Sequence, residues 1–225
     1  MGKHAVVVGA TGLVGTELVR LLLKESTYER VVVLVRTGME MSDPRLDQRI
    51  ISFDQLEQLP QELFREADVF CTLGTTMKKA KTQEQFMKVD YAYPLSLGQL
   101  AKRHGAARML IVTAMGADAG SMFFYNRVKG MVEKELLSLG LNELYIFRPS
   151  LIMGPRAEHR AGESLAQSVS ERLPFLFAGP LRPYRPIQAR TIAEAMTNVA
   201  LQRVRPSQSV IRSEEVAQLA LAGKG

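Results

Sequence analysis

The chain opens on a β-branched run, His4 to Val8, that passes directly into Gly9-Ala-Thr-Gly12-Leu-Val-Gly15 and then into a helical stretch, Thr11 to Lys24, with Leu13, Leu18, Leu21 and Leu22 on one side. A buried-type strand, a turn with glycine at every third position and an amphipathic helix, in that order, leave few folds open. Glycine at position 9 lets the turn adopt a φ closed to other residues. A side chain at Gly12 would obstruct a phosphate group brought against the backbone, and its absence at Gly15 lets the helix pack closely on the strand. The helix start offers unpaired N–H groups and a partial positive charge, which suit a pyrophosphate. The pattern predicts the first unit of a dinucleotide-binding fold.

The rest of the chain continues the alternation. Apolar runs at Val31–Val35, Arg49–Phe53, Val69–Leu73, Met109–Thr113 and Leu144–Phe147 read as strands. Helical patterns fall between them: Leu56, Leu59, Leu63 and Phe64 in one, Gln83–His104 in a longer one, and Phe124–Leu139 in a third that stops near Gly140. Uninterrupted apolar strands alternating with helices predict a parallel sheet covered on both faces, a Rossmann-type doubly wound α/β fold. After Pro149 the texture changes to frequent proline and arginine, with Pro155, Pro174, Pro180, Pro183 and Pro186, so a small irregular substrate lobe is expected over about 150–190. Thr191–Gln202 reads as a helix returning to the core, and Val210-Ile211 as a last strand. The whole, residues 1–225, is read as one dinucleotide-binding domain with that lobe inserted.

Charge decides which dinucleotide. A carboxylate at the end of the second strand would bond the ribose hydroxyls of NAD and repel a 2′-phosphate. Here the strand ends in Val35-Arg36-Thr37, with no carboxylate before Glu40. Arg36 can grip a phosphate bidentately, which favours NADP(H) over NAD(H); otherwise it is a solvated surface arginine. Asp54, just after the third strand, either accepts from the adenine amino group or caps a helix.

Tyr125 and Lys129 stand four residues apart in a helical segment and share a face. Free tyrosine ionises near ~10 and is a poor base at neutral pH, but a lysine ammonium favours the phenolate. Tyr125 could then pass a proton to or from a carbonyl or alcohol while a nicotinamide moves a hydride.

These pieces together resemble an atypical short-chain dehydrogenase/reductase, and more narrowly the Tat-interactive-protein-like oxidoreductases and their bacterial relatives. The resemblance rests on the glycine turn, Cys71-Thr-Leu-Gly74-Thr-Thr, Lys79-Ala80, Lys88-Val-Asp90, Met115-Gly-Ala-Asp118, Tyr125-x-x-x-Lys129-Gly130 and Phe147-Arg-Pro149. It implies an NADP(H) site lined by Gly9, Thr11, Gly12, Leu13, Val14, Gly15, Arg36, Leu73, Gly74, Thr75, Tyr125, Lys129 and the stretch from Arg148 and Pro149. Lys129 would also hold the nicotinamide ribose, and Lys79 is the lysine the resemblance favours for a phosphate. One departure stands out. Such reductases carry a serine or threonine hydroxyl at the end of the fifth strand to polarise the substrate oxygen, and this chain reads Thr113-Ala114. Ala114 takes the catalytic place. Neighbours in a strand face opposite ways, so Thr113 serves only if a local irregularity turns it inward. Otherwise another donor is needed, for which Thr75 and Ser121 are candidates.

Remaining features carry two readings each. Met77-Lys-Lys79-Ala-Lys81 either holds an anion or is a solvated loop, as do Arg182, Arg185 and Arg190. Phe123-Phe124 is read as packing, and Cys71 as a buried, inert thiol. His104 and His159 are isolated, and no metal site is expected. Net charge is +6, spread along the chain without a basic block or a nucleic-acid motif, so a nucleic-acid partner is not expected. No apolar run approaches the ~20 residues of a membrane span. The start lacks a signal-peptide layout, and a cytoplasmic protein is expected.

The first functional reading is an NADP(H)-dependent oxidoreductase of a small carbonyl or alcohol substrate, neutral or anionic, with Tyr125, Lys129 and Thr113 as catalytic residues. A second, motivated by Ala114, is a cofactor-sensing binding protein acting through a protein partner. A third is a nucleotide-sugar epimerase or dehydratase, which would use the same Tyr–Lys pair.

Overall fold

Seven parallel strands form the centre of the molecule in a computed structural model that describes residues 2–154 and 184–223. In chain order the elements are β1 (Lys3–Val8), α1 (Leu13–Leu22), β2 (Tyr28–Val35), β3 (Leu46–Ile50), β4 (Asp68–Cys71), α2 (Met77–Ala80), α3 (Gln83–Met87), α4 (Tyr93–Arg103), β5 (Arg108–Val112), α5 (Phe124–Ser138) and β6 (Leu144–Arg148). They continue with β7 (Ile152–Met153), β8 (Ile187–Gln188), α6 (Ala189–Ala200), β9 (Val210–Arg212) and α7 (Ser213–Ala222). The main sheet runs β3-β2-β1-β4-β5-β6-β9, and β7 and β8 make a separate parallel pair.

The period of two along each strand sorts side chains to the two faces. Ala5 and Val7 of β1 join a core with Leu18 and Leu22 of α1, Met196 of α6 and Val216 of α7. Val6 and Val8 enter the opposite core, with Leu97 and Leu100 of α4 and Val132 and Leu136 of α5. Both faces are therefore covered, which is why Val31 to Leu34 can be fully apolar and fully buried. Strand order reverses at β1, between β2 and β4, the place where open parallel sheets of this kind take ligands at their carboxyl ends. At the amino ends, a buried polar cluster ties three strands together. Tyr28 donates to Asp68 at 2.6 Å, and Arg108 donates to Asp68 at 2.9 Å and to Glu143 at 3.0 Å. Burial pushes both the Asp68 carboxyl and the Tyr28 phenol above their ordinary values.

Several expected elements shift. The third strand is Leu46–Ile50, not Arg49–Phe53, because its register to β2 runs from Val31↔Leu46 to Val35↔Ile50. It is a half-exposed edge, so its apolar signal is weak, and the stronger signal at Phe53 belongs to the turn that follows. The helix expected around Leu56–Phe64 is two 3-10 turns, Phe53–Gln58 and Gln61–Leu63, parted at Pro60. The long helix expected over Gln83–His104 is present, but Lys88–Ala92 is wound as a π-turn in which Tyr93 N–H donates to Lys88 O. Pro94 has no N–H for the Asp90 carbonyl four residues back, and its ring crowds that carbonyl, so the helix widens there. The last strand forms as expected and pairs parallel to β6. Most of the expected substrate lobe, with Pro155, His159, Pro174, Pro180, Arg182 and Pro183, lies outside the described residues.

Candidate functional site

The turn after β1 is built by close approach. Gly9 has φ +87, and a Cβ there would lie 2.6 Å from the Thr72 carbonyl carbon. A Cβ on Gly15 would lie 2.2 Å from Gly9 O. Gly12 differs: the one atom near its missing Cβ is Gly9 O, at 3.3 Å, and the rest of the space around it is open. Thr72, which the sequence did not single out, donates its hydroxyl to Val8 O and Gly9 O, each at 3.1 Å, and locks the end of β4 to the turn. Helix α1 starts at Gly12 without a side-chain cap and with no acid in its first turn. Its first i→i−4 bond is Thr16 N to Gly12 O at 2.9 Å, so the N–H groups of Leu13, Val14 and Gly15 have no helical acceptor. Thr11 is exposed beside them, Val14 is buried, and Leu13 lies beside Gly154, 3.3 Å from where a Cβ on that glycine would be.

Arg36 lies one residue past β2, exposed, on the same edge of the sheet. Asp54 does not cap a helix: Ser52 holds the cap position, and Asp54 sits inside the 3-10 turn because the strand ends earlier than expected. Its carboxylate accepts from Lys88 at 2.9 Å and from the Tyr93 hydroxyl at 2.8 Å, and these bonds hold it below the usual carboxylate range.

Tyr125 and Lys129 share a face of α5, as their spacing requires. Tyr125 is partly exposed and its ring packs on the buried Phe86, with centroids 5.7 Å apart. Lys129 is 4% exposed, and its Nζ lies 2.8 Å from Oδ1 of Asp90, which is fully buried in the π-turn. The approach is an ion pair rather than an aligned hydrogen bond. The other Asp90 oxygen accepts from Thr75 N at 2.9 Å. Burial alone would draw the Lys129 ammonium down; Asp90 first, with Tyr125 and Cys71, more than reverses this and leaves it above the ordinary lysine value. Gly74 lies over the pair, with Asp90 Oδ1 and Lys129 Nζ at ordinary contact distance from where its Cβ would be. Gly74 and Thr75 thus lie beside the Lys129–Asp90 pair, Leu73 packs against the core that holds α4 and α5, and Lys79 lies exposed on the short helix α2 that Thr76 caps. Asp90 stands in the Lys88-Val-Asp90 piece of the sequence, but only its place in the π-turn reveals its partner. Cys71 is buried nearby, and burial pushes its thiol up to about 11.

One expected role is corrected, and a second expected residue gains a protein partner. Thr113 N–H continues the ladder to Phe147 O at 2.8 Å, so no irregularity reorients it. Its hydroxyl donates to Glu133 Oε1 at 2.6 Å, deep beside α5, and is not free to polarise a substrate. Arg148 is also engaged: its Nε lies 3.0 Å from Glu133 Oε2, and its Nη2 bonds the same carboxylate. Its guanidinium therefore braces β6 against α5. Pro149 contributes through its carbonyl, which accepts from Met115 N at 2.9 Å. That bond anchors the Met115–Ser121 loop, which packs so tightly on α5 that a Cβ on Gly130 would lie 2.1 Å from Ala119 N. Ser121 is turned to its own loop, accepting from Phe123 N at 3.2 Å. Phe124 packs on Phe86, whereas Phe123 is 73% exposed, so only the first of these rings serves packing among the described residues.

Comparison with known proteins gives the lineage of this site. The HIM1 family model matches residues 41–177, more than half of the chain, and the male sterility protein model matches residues 7–71. Protein HTATIP2 of Rattus norvegicus is 31% identical over 200 residues, covering 87% of this chain and 80% of that protein. The chain is an atypical short-chain dehydrogenase/reductase. Another relative, FMP52 of Candida albicans, is 30% identical over 168 residues, covering 72% of this chain and 73% of its own. FMP52 of Eremothecium gossypii is 33% identical over 160 residues, 71% of this chain and 70% of its own. Both carry "mitochondrial" in their names, which overturns the cytoplasmic expectation; that expectation rested on the absence of a signal-peptide layout, and such an absence does not assign a compartment. Among solved structures, the Bordetella bronchiseptica enzyme WbmH in complex with NAD+ superposes with a TM-score of 0.68 at 18% identity, covering 89% of this chain and 72% of its own. A Thermotoga maritima UDP-glucose 4-epimerase gives 0.65 at 17% identity, covering 87% and 72%. These two likenesses show the Rossmann fold.

Proposed function

We propose that this protein binds NADP(H) across the carboxyl edge of its sheet and interconverts a small carbonyl compound and its alcohol, with Tyr125 handling the proton. The observation that carries the reading is the buried Lys129 ammonium on the same helix face as the accessible Tyr125. The residues present fit a dinucleotide. Gly12 leaves open space where a side chain would obstruct a pyrophosphate, and the free N–H groups of α1 face that space. Arg36 supplies a cation one residue past β2, where a 2′-phosphate distinguishes NADP from NAD. Gly9, Thr11, Leu13, Val14, Leu73, Gly74 and Thr75 would complete the lining, and Lys129 would hold the nicotinamide ribose.

The bound dinucleotide would supply or accept the hydride. In the reducing direction the Tyr125 hydroxyl gives its proton to the substrate oxygen, and the Lys129 ammonium stabilises the negative charge left on the tyrosine oxygen. Thr75 is the hydroxyl best situated to replace the one missing at Ala114, since its own N–H is tied to Asp90 beside Lys129. Lys78, Lys79 and Lys81 line the loop after β4 and suit a substrate that carries an acid group.

Two measurements test the reading. NADPH and NADH are titrated against wild type and Arg36→Ala. Wild type is expected to prefer NADPH, and the variant to lose roughly 10–100-fold in NADPH affinity, the size of one or two charge-assisted bonds, with NADH unchanged. Equal binding of both cofactors by wild type refutes the phosphate argument. In turnover of a carbonyl panel, Tyr125→Phe is expected to lose about 10²–10⁴-fold in kcat; full activity in that variant removes Tyr125 from the chemistry.

A second reading is a binding protein that senses NADP(H) and acts through a protein partner. The engagement of Thr113 by Glu133, which leaves Ala114 without a hydroxyl, favours it. Tight NADPH binding with no turnover across the panel is the result that selects it.

A further inference from the structure

We propose that the site beside Tyr125 takes a carbonyl compound with an apolar body of several carbons, and that Met122 and Phe123 are the side chains that select it. The consequence for turnover rests on the Tyr125 reading above; the apolar binding surface does not.

Single exposed apolar side chains are ordinary, but a group of them marks a surface that is covered in use. Met122 is 91% exposed and Phe123 73%, side by side in the segment that leads from β5 into α5. Tyr125 follows two residues later. Leu151, between β6 and β7, and Tyr184, just before β8, are exposed as well. Hydrogen bonds join these places. The Ser150 hydroxyl donates to Arg185 O, and Ile187 N donates to Leu151 O at 2.9 Å, so the segments of Leu151 and Tyr184 run together. Met115 N donates to Pro149 O at 2.9 Å, which ties them to the loop that carries Met122 and Phe123. Gly154, two residues past Ile152, lies against Leu13 at the start of α1. The apolar group therefore occupies one connected margin between the glycine turn and Tyr125. By contrast, the exposed Ile50, Leu137 and Leu221 stand singly, at the end of edge strand β3 and near the last turns of α5 and α7.

The outward setting of Met122 and Phe123 is imposed by their own loop. Arg127 Nη1 donates to Ser121 O at 2.9 Å and to Met122 O at 3.2 Å, and Phe123 N donates to the Ser121 hydroxyl oxygen at 3.2 Å. Phe124, next in the chain, turns inward onto Phe86, so an apolar seat is within reach of this segment and Phe123 does not take it. Two large apolar side chains held in water lower the free energy when an apolar body covers them. The end of β5 agrees with such an occupant. Ala114 carries no hydroxyl, and Thr113 gives its own to Glu133. A substrate acid group would find Lys78 and Lys81 exposed on and just after α2, which leaves Met122 and Phe123 to the apolar body.

Two readouts test this. In NADPH-dependent turnover of straight-chain aldehydes from acetaldehyde to octanal, wild-type kcat/KM is expected to rise about three- to four-fold per methylene over the first several, mainly through KM. In Met122→Ser with Phe123→Ser, both at exposed positions, the octanal-to-acetaldehyde ratio of kcat/KM is expected to fall about ten-fold or more. A ratio that the double substitution leaves unchanged, or a wild type that favours the shortest aldehyde, overturns the inference. The second readout needs no turnover. Full-length protein labelled with 13C at the methionine methyls is titrated by NMR with N-methyl amides of the same chain lengths, which present a carbonyl and are not reduced, and Met122→Leu assigns the signal. The Met122 signal is expected to shift, at amide concentrations that fall as the chain lengthens. A Met122 signal that stays still while the amides bind, or that moves only with protein concentration because a second copy covers this margin, overturns the inference. Length-dependent shifts in a protein that turns over no aldehyde leave the apolar surface standing and sink the oxidoreductase reading. Turnover with no dependence on chain length does the reverse.

Discussion

The Thr113 hydroxyl lies 2.6 Å from a Glu133 oxygen, and that bond separates a structural threonine from a catalytic one. Glu133 is 2% exposed and carries Arg148 as well, so it needs every donor it has. Thr113→Val is expected to lower stability by about 1–3 kcal/mol, the cost of an acceptor left short, while changing kcat less than a few-fold. Denaturant melts and turnover on the same preparation check this; a rate loss like that of Tyr125→Phe at unchanged stability would return Thr113 to the reaction. At this scale the sequence is legible where spacing carries the message. Tyr125 and Lys129 share a face because they stand four residues apart, and Glu133 extends the same row. What stays hidden is any bond between distant segments. Nothing local to Asp90 announces Lys129, and nothing local to Arg148 announces Glu133.

Elements are legible in proportion to their burial. The runs expected at Val31–Val35 and Met109–Thr113 lie inside the sheet: the second forms as Arg108–Val112, and the first is contained in Tyr28–Val35, which starts three residues earlier across the exposed Glu29 and Arg30. Edge strand β3 is half exposed and slides by three residues, since polar Asp47, Gln48 and Arg49 give no apolar pattern to find. The π-turn at Lys88–Ala92 has one sequence cue, Pro94, and its effect falls four residues upstream of itself. The glycine turn allows a sharper test at this scale, because two of its glycines do different work. Gly15→Ala drives a Cβ to 2.2 Å from Gly9 O, so a loss of about 1–3 kcal/mol or more is expected in thermal or urea melts, with or without cofactor. Gly12→Ala meets only Gly9 O, at 3.3 Å, and is expected to fold with near-native stability yet bind NADPH at least ten-fold more weakly. Native cofactor affinity in Gly12→Ala would show that the dinucleotide does not cross the helix start.

For the molecule as a whole, the alternation of apolar strands and helices sufficed to foresee a doubly wound parallel sheet, and β9 closes its far edge as the short Val210-Ile211 run suggests. Chemistry and cohesion then divide between the two rims of that sheet. The glycine turn, Arg36, the Leu73–Thr75 loop and the Tyr125–Lys129–Asp90 frame gather at the carboxyl rim. The Tyr28–Asp68–Arg108–Glu143 cluster joins β2, β4, β5 and the start of β6 at the amino rim. This dense polar network ties the strand ends together on the rim opposite the glycine turn. Descendants of such a chain can therefore exchange substrates, or abandon turnover for sensing, by altering one margin alone. The knot at the other margin keeps the inheritance intact while the trade changes.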